Sequence, residues 1–276
     1  MSKTIVLTGL AQGMGREVVK ILATAGDKIA GFDVDSESIT SLKKEFDDIG
    51  AQYYLEVLDI TDRQGILKFR DQVLKKFGHV DTVVSNVGIG FFGPFEETDL
   101  EKALKCLEIN VIGAASIFQA FIPSMRKAGT GKLIAMSSLV GQVPFPFESI
   151  YSASKFAISG MVESFQYELA PFGIRVAIIE PAQVSTTFAA KIHKLPLEGS
   201  PYRERAGRFI ERDNELIKKA TTPVQAAEKI IKIIRSPRPK LHNQVDFMSS
   251  FFLFLNRVLP KFMRDMILLN HMDIKV

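Results

Sequence analysis

Cys106 is the only cysteine in this 276-residue chain. One thiol excludes an intramolecular disulfide and any metal cage built on cysteine. Its place in the apolar pattern Ala103-Leu104-Lys105-Cys106-Leu107 suits a core or interface position rather than a nucleophile. Histidine is also scarce: His79, His193, His242 and His271 lie far apart, with no His-x-x-x-His pair, so no metal site is expected. Charge of one sign is never concentrated. The net charge is +4, and lysines and arginines are scattered among acidic residues. No basic run tracks a phosphate backbone, so nucleic acid is not an expected partner. The uninterrupted apolar core of the tail, between Asp246 and Arg257, has roughly ten residues against ~20 for a bilayer span. The first residues enter an apolar strand pattern without a basic region or cleavage site. No secretory leader is expected, and a reducing cytoplasmic setting follows.

The chain does have the means to build one large core, with 46% hydrophobic residues. Short apolar runs alternate with longer amphipathic segments, which predicts βαβ units around a doubly wound parallel sheet of about seven strands. Strands are expected at 4–8, 28–33, 52–57, 82–85, 132–137, 175–180 and 244–247, and helices near 15–25, 36–48, 61–77, 99–127, 151–170 and 223–235. Runs such as Thr4-Ile5-Val6-Leu7-Thr8 suit strands covered on both faces. A catalytic domain at 1–248 is expected, with two regions outside the alternation. Residues 183–216 read as an irregular substrate loop interrupted by Pro196, Gly199 and Pro201. Residues 249–276 form an apolar, then amphipathic, extension that packs on the domain, dimerises, or makes peripheral membrane contact.

Three features carry chemistry. After the first strand comes Thr8-Gly9-Leu10-Ala11-Gln12-Gly13-Met14-Gly15, opening into a helix. Glycines permit a tight turn and close backbone approach to a pyrophosphate, while helix-start N–H groups point at the anion. The second strand ends in Asp33, about twenty-four residues beyond the first glycine. A carboxylate there accepts from adenosine ribose hydroxyls and repels a 2′-phosphate, which favours NAD while leaving NADP open. Arg16 is the basic residue placed to contest that choice. The third feature is Tyr151-x-x-x-Lys155, with Ser138 thirteen residues upstream of the tyrosine. Four-residue spacing on a helix puts the phenol and ammonium on one face. The cation then favours the phenolate and so tunes proton exchange. Ser137 is the rival for the serine role.

Together these motifs resemble the short-chain dehydrogenase/reductase family over roughly residues 3–248. The resemblance implies a Rossmann-type fold and hydride exchange between an alcohol and a ketone or aldehyde, with a small-molecule substrate and a homodimeric or homotetrameric assembly. Leu58-Asp59-Ile60 falls where the family contacts adenine, Asn86-Val87-Gly88 resembles its Asn-Ala-Gly segment, and Asn110 matches an asparagine that holds a relay water. Pro181, Val184 and Thr186 fall in the segment near the nicotinamide. Thr8, Gly9, Gln12, Gly13, Met14, Gly15, Asp33, Tyr151 and Lys155 complete the implied dinucleotide set. Two departures stand out. Pro181-Ala182 replaces the usual Pro-Gly, and the last strand lacks the glycine-rich ending of many tetrameric members.

By this resemblance Tyr151 is the general acid/base, Ser138 donates to the substrate oxygen, Lys155 lowers the tyrosine pKa, and Asn110 orders water. The run 151–188 is most similar to 17β-hydroxysteroid and retinol dehydrogenase-like members, which handle apolar alcohols. Phe91, Phe145, Phe147 and Phe188 are the expected walls of an apolar pocket. Two rivals remain: a catalytically silent NAD-binding sensor or scaffold, and a sugar-nucleotide epimerase or dehydratase.

Overall fold

A computed structural model of the chain describes residues 2–185, 192–195 and 198–274. Seven parallel strands make the main sheet, in the order β3-β2-β1-β4-β6-β7-β9. They are β1 (Thr4–Thr8), β2 (Lys28–Asp33), β3 (Tyr53–Val57), β4 (Thr82–Ser85), β6 (Gly131–Met136), β7 (Ile174–Ile179) and β9 (His242–Asn243). The six longer strands match the expected runs to within a residue or two. The seventh lies just before the expected 244–247, because Asp246 starts a helix by accepting from the Ser249 N–H. A second, two-stranded sheet pairs β5 (Phe91–Phe92) with β8 (His193–Lys194).

Helices cover both faces. On one side α1 (Gly13–Thr24), α2 (Ser36–Asp48) and α8 (Pro223–Arg235) bury Val18, Leu22, Leu42, Phe46 and Ile230 against Ile5, Leu7 and Ile179. On the other, α3 (Arg63–Phe77), α5 (Gly113–Ala128) and α6 (Ser149–Leu169) bury Phe69, Val73, Phe118, Phe121 and Ile158 against Val6, Val83 and Ile178. Alternate residues of each strand thus serve opposite layers. Strand order reverses between β1 and β4, opening a crevice at the carboxyl ends of the strands.

The expected helix at 99–127 is interrupted. Between α4 (Leu100–Leu107) and α5 lies one π-helical turn, Glu108–Ile112, centred on Asn110. Such turns displace a side chain from the helical register and recur at functional sites.

The region expected to be an irregular loop holds a helix, α7 (Arg203–Lys218). Past Pro201 its apolar residues recur at helical spacing, and Ala206 and Phe209 are buried. The tail forms α9 (Phe247–Val258) and α10 (Lys261–His271). Of the three placements expected for it, packing on the domain is observed. Phe252, Leu268, Met272 and Ile274 join Phe92, Phe145, Tyr151 and Phe209 in a third core. Arg205, Arg208 and Arg212 share one face of α7 and donate to the carbonyls of Ile274, Asp273 and His271 at 3.0, 3.1 and 2.9 Å. Those bonds satisfy carbonyls at the end of α10 that have no helical partner.

Candidate active site

The glycine turn is held from two sides. Gly9 has φ 68°, open to glycine at little cost. A Cβ on Gly15 would sit 2.4 Å from the Gly9 carbonyl oxygen, so only glycine lets α1 approach the turn this closely. Thr8 lies behind the cleft, where its Oγ1 accepts from the N–H groups of Asn86 and Val87 at 3.1 and 3.3 Å. Asn86 Nδ2 returns bonds to the carbonyls of Thr8 and Gly9 at 3.2 and 2.9 Å. This lattice fixes the β1 and β4 ends relative to each other. Val87, bulkier than the family's usual alanine, packs toward the turn, with its Cγ2 3.1 Å from a Cβ built on Gly9.

A cleft of about 440 Å³ opens over this turn. Its walls include Gly9, Gln12, Gly13, Met14, Gly15, Asp33, Asp59, Ile60, Asn86, Val87, Gly88, Tyr151, Lys155, Pro181 and Val184, as well as Ser138. Fifteen of the seventeen expected dinucleotide residues therefore border one cavity; Thr8 stands behind it, and Thr186 lies outside the described residues. Val34, Leu58, Ile89, Ile109, Met136 and Ala182 also line it. Apart from Leu58 and Ala182, which fall in the segments Leu58-Asp59-Ile60 and Pro181-Ala182, they carry no motif of their own and become visible only once strand ends are known to converge. Gln12 gives α1 no side-chain cap and the first turn has no acidic residue. Helix-start N–H groups and the positive end of the dipole are thus available to an anion. The Gly15 approach, uncapped helix and acid at the β2 end fit a nicotinamide dinucleotide.

Asp33 is nearly buried, with Oδ2 accepting from Ala11 N–H and Oδ1 from Asp35 N–H, each at 3.2 Å. Arg16 is committed elsewhere: it donates to the Ala11 and Ser38 carbonyls at 2.9 and 3.2 Å, to Ser41 Oγ at 3.0 Å and to Glu45 at 2.7 Å.

Ser138, Tyr151 and Lys155 lie at the opposite end. Tyr151, in the first turn of α6, shares a hydrogen bond with Ser138, which follows β6. Ser138 Oγ also donates to the Pro181 carbonyl at 3.2 Å. Ser137 also borders the cleft, but its Oγ is bonded to the Lys155 carbonyl at 3.2 Å and to Ser159 Oγ at 3.0 Å. Of the two serines, Ser138 is the one whose hydroxyl meets Tyr151. Lys155 is 3% exposed; its Nζ donates to the Met136 carbonyl at 2.9 Å and lies 5.6 Å from the Tyr151 ring centre.

The electrostatics differ from the expected pattern. Burial, reinforced by the Glu148 carboxylate, holds the Tyr151 phenol above its ordinary pKa, and the Ser138 bond lowers it only in part. Lys155 is itself brought from 10.5 down to about 8 by burial. A desolvated ammonium bonded to a backbone carbonyl does not outweigh the removal of water from the phenolate.

Asn110 is wholly buried and does not line the cleft. Its Oδ1 accepts from Ile89 N–H at 2.8 Å, while Nδ2 donates to the Ile89 carbonyl at 3.0 Å and Ser154 Oγ at 2.9 Å. The π turn thereby aims one amide at both the post-β4 segment and α6.

Beyond Tyr151 and Ser138 a smaller apolar cavity of about 80 Å³ adjoins the cleft. Of the expected phenylalanine walls, Phe145 borders it. Phe91 is core instead, and its strand neighbour Phe92 lines the cavity, because successive residues of β5 face opposite ways. Phe147, at φ 62°, packs on Phe209 at 5.6 Å between ring centres rather than on the cavity. Phe188 lies outside the described residues. The tail reaches this wall too: Phe252 meets Phe145 at 6.1 Å, and Asp246 Oδ2 accepts from Ala182 N–H at 2.8 Å. Cys106 is buried, its thiol pushed up to about 11 by desolvation, which fits the expected core role.

Comparison with known proteins adds the lineage of this arrangement. A family profile described as short chain dehydrogenase matches residues 3–195. Human 17-beta-hydroxysteroid dehydrogenase type 1 is 32% identical over 190 residues, which is 67% of this chain and 57% of that protein. The match thus spans little more than half of that relative. The 3-ketodihydrosphingosine reductase of Bacteroides thetaiotaomicron is 28% identical, with 87% of each chain covered. Among solved structures, a short-chain dehydrogenase from Streptomyces avermitilis superposes with a TM-score of 0.82 at 30% identity, over 92% of this chain and 91% of the other.

Proposed function

Because the chain belongs to the short chain dehydrogenase family, we propose that it interconverts an apolar alcohol and its ketone or aldehyde, with NAD as the preferred dinucleotide. The observation that carries this reading is the meeting of Ser138, Tyr151 and Lys155 with the glycine turn and Asp33 along one cleft. A bound nicotinamide supplies the hydride acceptor or donor. The chain's own residues do the rest. Tyr151 Oη gives a proton to the carbonyl oxygen in reduction and takes it from the hydroxyl in oxidation. Its raised pKa keeps the phenol protonated at neutral pH, ready to act as the acid. Ser138 Oγ donates to the same oxygen as negative charge develops there. Asn110 acts as a positioning residue for Ile89 and the Ser154 region of α6. The preference for NAD rests on Asp33 in the cleft wall and on Arg16 being held by Glu45 and backbone carbonyls. An apolar substrate is supported by Phe92, Leu139, Val140, Phe145, Ile192 and Ile217 beside the catalytic hydroxyls.

The test is a panel of alcohols and ketones read by absorbance of the reduced dinucleotide. Tyr151→Phe is expected to abolish turnover while retaining dinucleotide binding. Unchanged turnover in that variant sinks the assignment, and dinucleotide binding without turnover by the wild type favours a silent sensor.

A second reading concerns the tail. Phe252 and Leu268 face inward, whereas Phe247, Phe254, Phe262 and Met266 are 74, 61, 73 and 63% exposed. Four large apolar side chains on one helical hairpin suit a lipid surface. Replacing the three phenylalanines by serine is expected to abolish co-sedimentation with anionic liposomes. Retained co-sedimentation rules this out, and conversion of a dimer to a monomer assigns the face to self-association instead.

A further inference from the structure

Two buried carboxyl groups lie where an apolar substrate would enter. Glu148 and Asp213 both border the small cavity that Ser138 and Tyr151 also line. Glu148 is 4% exposed, and its carboxyl forms no hydrogen bond or ion pair among the described residues. It occupies the N-cap position of α6 without making a capping bond, so helix capping does not explain it. Asp213, on α7, is 5% exposed and accepts one bond, from Gln183 Nε2 at 3.2 Å. The remaining walls are mostly apolar: Phe92, Val140, Phe145 and Ile217. Carboxyl groups in such surroundings are costly unless a partner arrives.

We propose that Glu148 and Asp213 form a polar subsite that receives a hydrogen-bond-donating group, an amine best of all, carried by the substrate close to its reacting carbon. The inference rests on the alcohol–ketone reading of the same site. Proximity to the reacting carbon follows from the cavity sharing Ser138, Tyr151, Ala182 and Val184 with the main cleft. Preference for an amine follows from the acceptor inventory. Two neighbouring carboxyl groups offer more acceptor positions than one hydroxyl can use, whereas an ammonium brings three donors and a compensating charge. Burial raises both acids above their ordinary range and the Asp213 charge raises Glu148 further, while the Gln183 bond and the Lys194 charge pull Asp213 back in part. The Glu148 charge also raises Tyr151, so an ammonium here would ease proton transfer at the phenol.

The experiment uses the full chain saturated with NAD and three probes of one length: octan-2-ol, octane-1,2-diol and 1-aminooctan-2-ol. Calorimetry gives their affinities for the wild type, Glu148→Gln and Asp213→Asn. The amino alcohol is expected to bind about 10–100-fold more tightly than octan-2-ol, as charge-assisted bonds imply. That ratio should fall towards one in both variants. Tighter binding of the diol than of the amine, lost in the same variants, keeps the subsite and makes hydroxyl its ligand. Equal affinities in the wild type, or a preference that survives both substitutions, overturn the proposal. Turnover is read in parallel. Variant-sensitive binding without turnover sinks the oxidoreductase reading alone, and equal turnover with equal affinity sinks the subsite alone.

Discussion

Lys155 is expected to cost the protein stability in exchange for its function. Burial lowers its pKa from 10.5 to about 8. Each unit is worth ~1.4 kcal/mol, so holding the charged form in the fold at pH 7 costs about 3 kcal/mol relative to the unfolded chain. The sign follows from which state binds the proton more tightly. Between pH 8 and 10.5 the unfolded chain keeps the proton that the native lysine releases, so stability rises with pH through that window. Below pH 8 the whole penalty is present. Lys155→Met removes the titrating group at similar volume and leaves the Met136 carbonyl without the donor it has at 2.9 Å. The orphaned carbonyl costs ~1–3 kcal/mol, but that loss does not depend on pH. Urea unfolding of both proteins at pH 7 and 9.5 isolates the effect. The wild type should gain about 2 kcal/mol on the variant across this interval, as its buried charge is relieved. Cys106, with its native thiol up at about 11, ionises only in the unfolded chain over this interval, a contribution common to both proteins that cancels in their difference. A difference that stays flat, or moves in the variant's favour, refutes the buried-charge argument. The variant should lack turnover at both pH values.

Other consequences are checkable independently. Asp33→Ala removes the acceptor of Ala11 and Asp35 N–H groups as well as the expected ribose contact. Losing such charge-assisted bonds should cost about 3 kcal/mol of stability and shift the NAD-to-NADP ratio of kcat/KM by roughly 10–100-fold. A stability loss with an unchanged ratio, in urea unfolding and initial rates respectively, would reduce Asp33 to a loop anchor. Asp246→Ala cuts both the α9 cap, Ser249 N–H at 2.7 Å, and the bond to Ala182 at 2.8 Å. Limited proteolysis should then release the tail, with KM for an alcohol substrate rising severalfold. A tail as resistant as in the wild type would show that the arginines of α7 hold it alone.

Much of the dinucleotide side was legible in the chain because its signals are local. A glycine that needs φ 68°, an acid closing a strand, and four-residue spacing on a helix each depend on a few neighbouring residues. The choice of Ser138 over Ser137 rests on its thirteen-residue spacing to Tyr151. The substrate side was misread for the opposite reason. Phe91 and Phe92, both buried, are indistinguishable until the fold of β5 places Phe92 on the cavity and Phe91 away from it. The helix at 203–218 was hidden among charges that suit a solvated loop, and its arginines acquire a purpose only from carbonyls about 60 residues later.

Sequence alone therefore determined the order of strands and helices, the glycine turn, and the spacing that brings Ser138, Tyr151 and Lys155 to one cleft, since backbone geometry and helical spacing are encoded residue by residue. Tertiary structure decided that Tyr151 is raised rather than lowered in pKa, that the tail packs behind Phe145, and that Glu148 and Asp213 border one cavity. Desolvation and charge coupling belong to the space between elements, and residues 65 positions apart share that space only once α6 and α7 have closed around it.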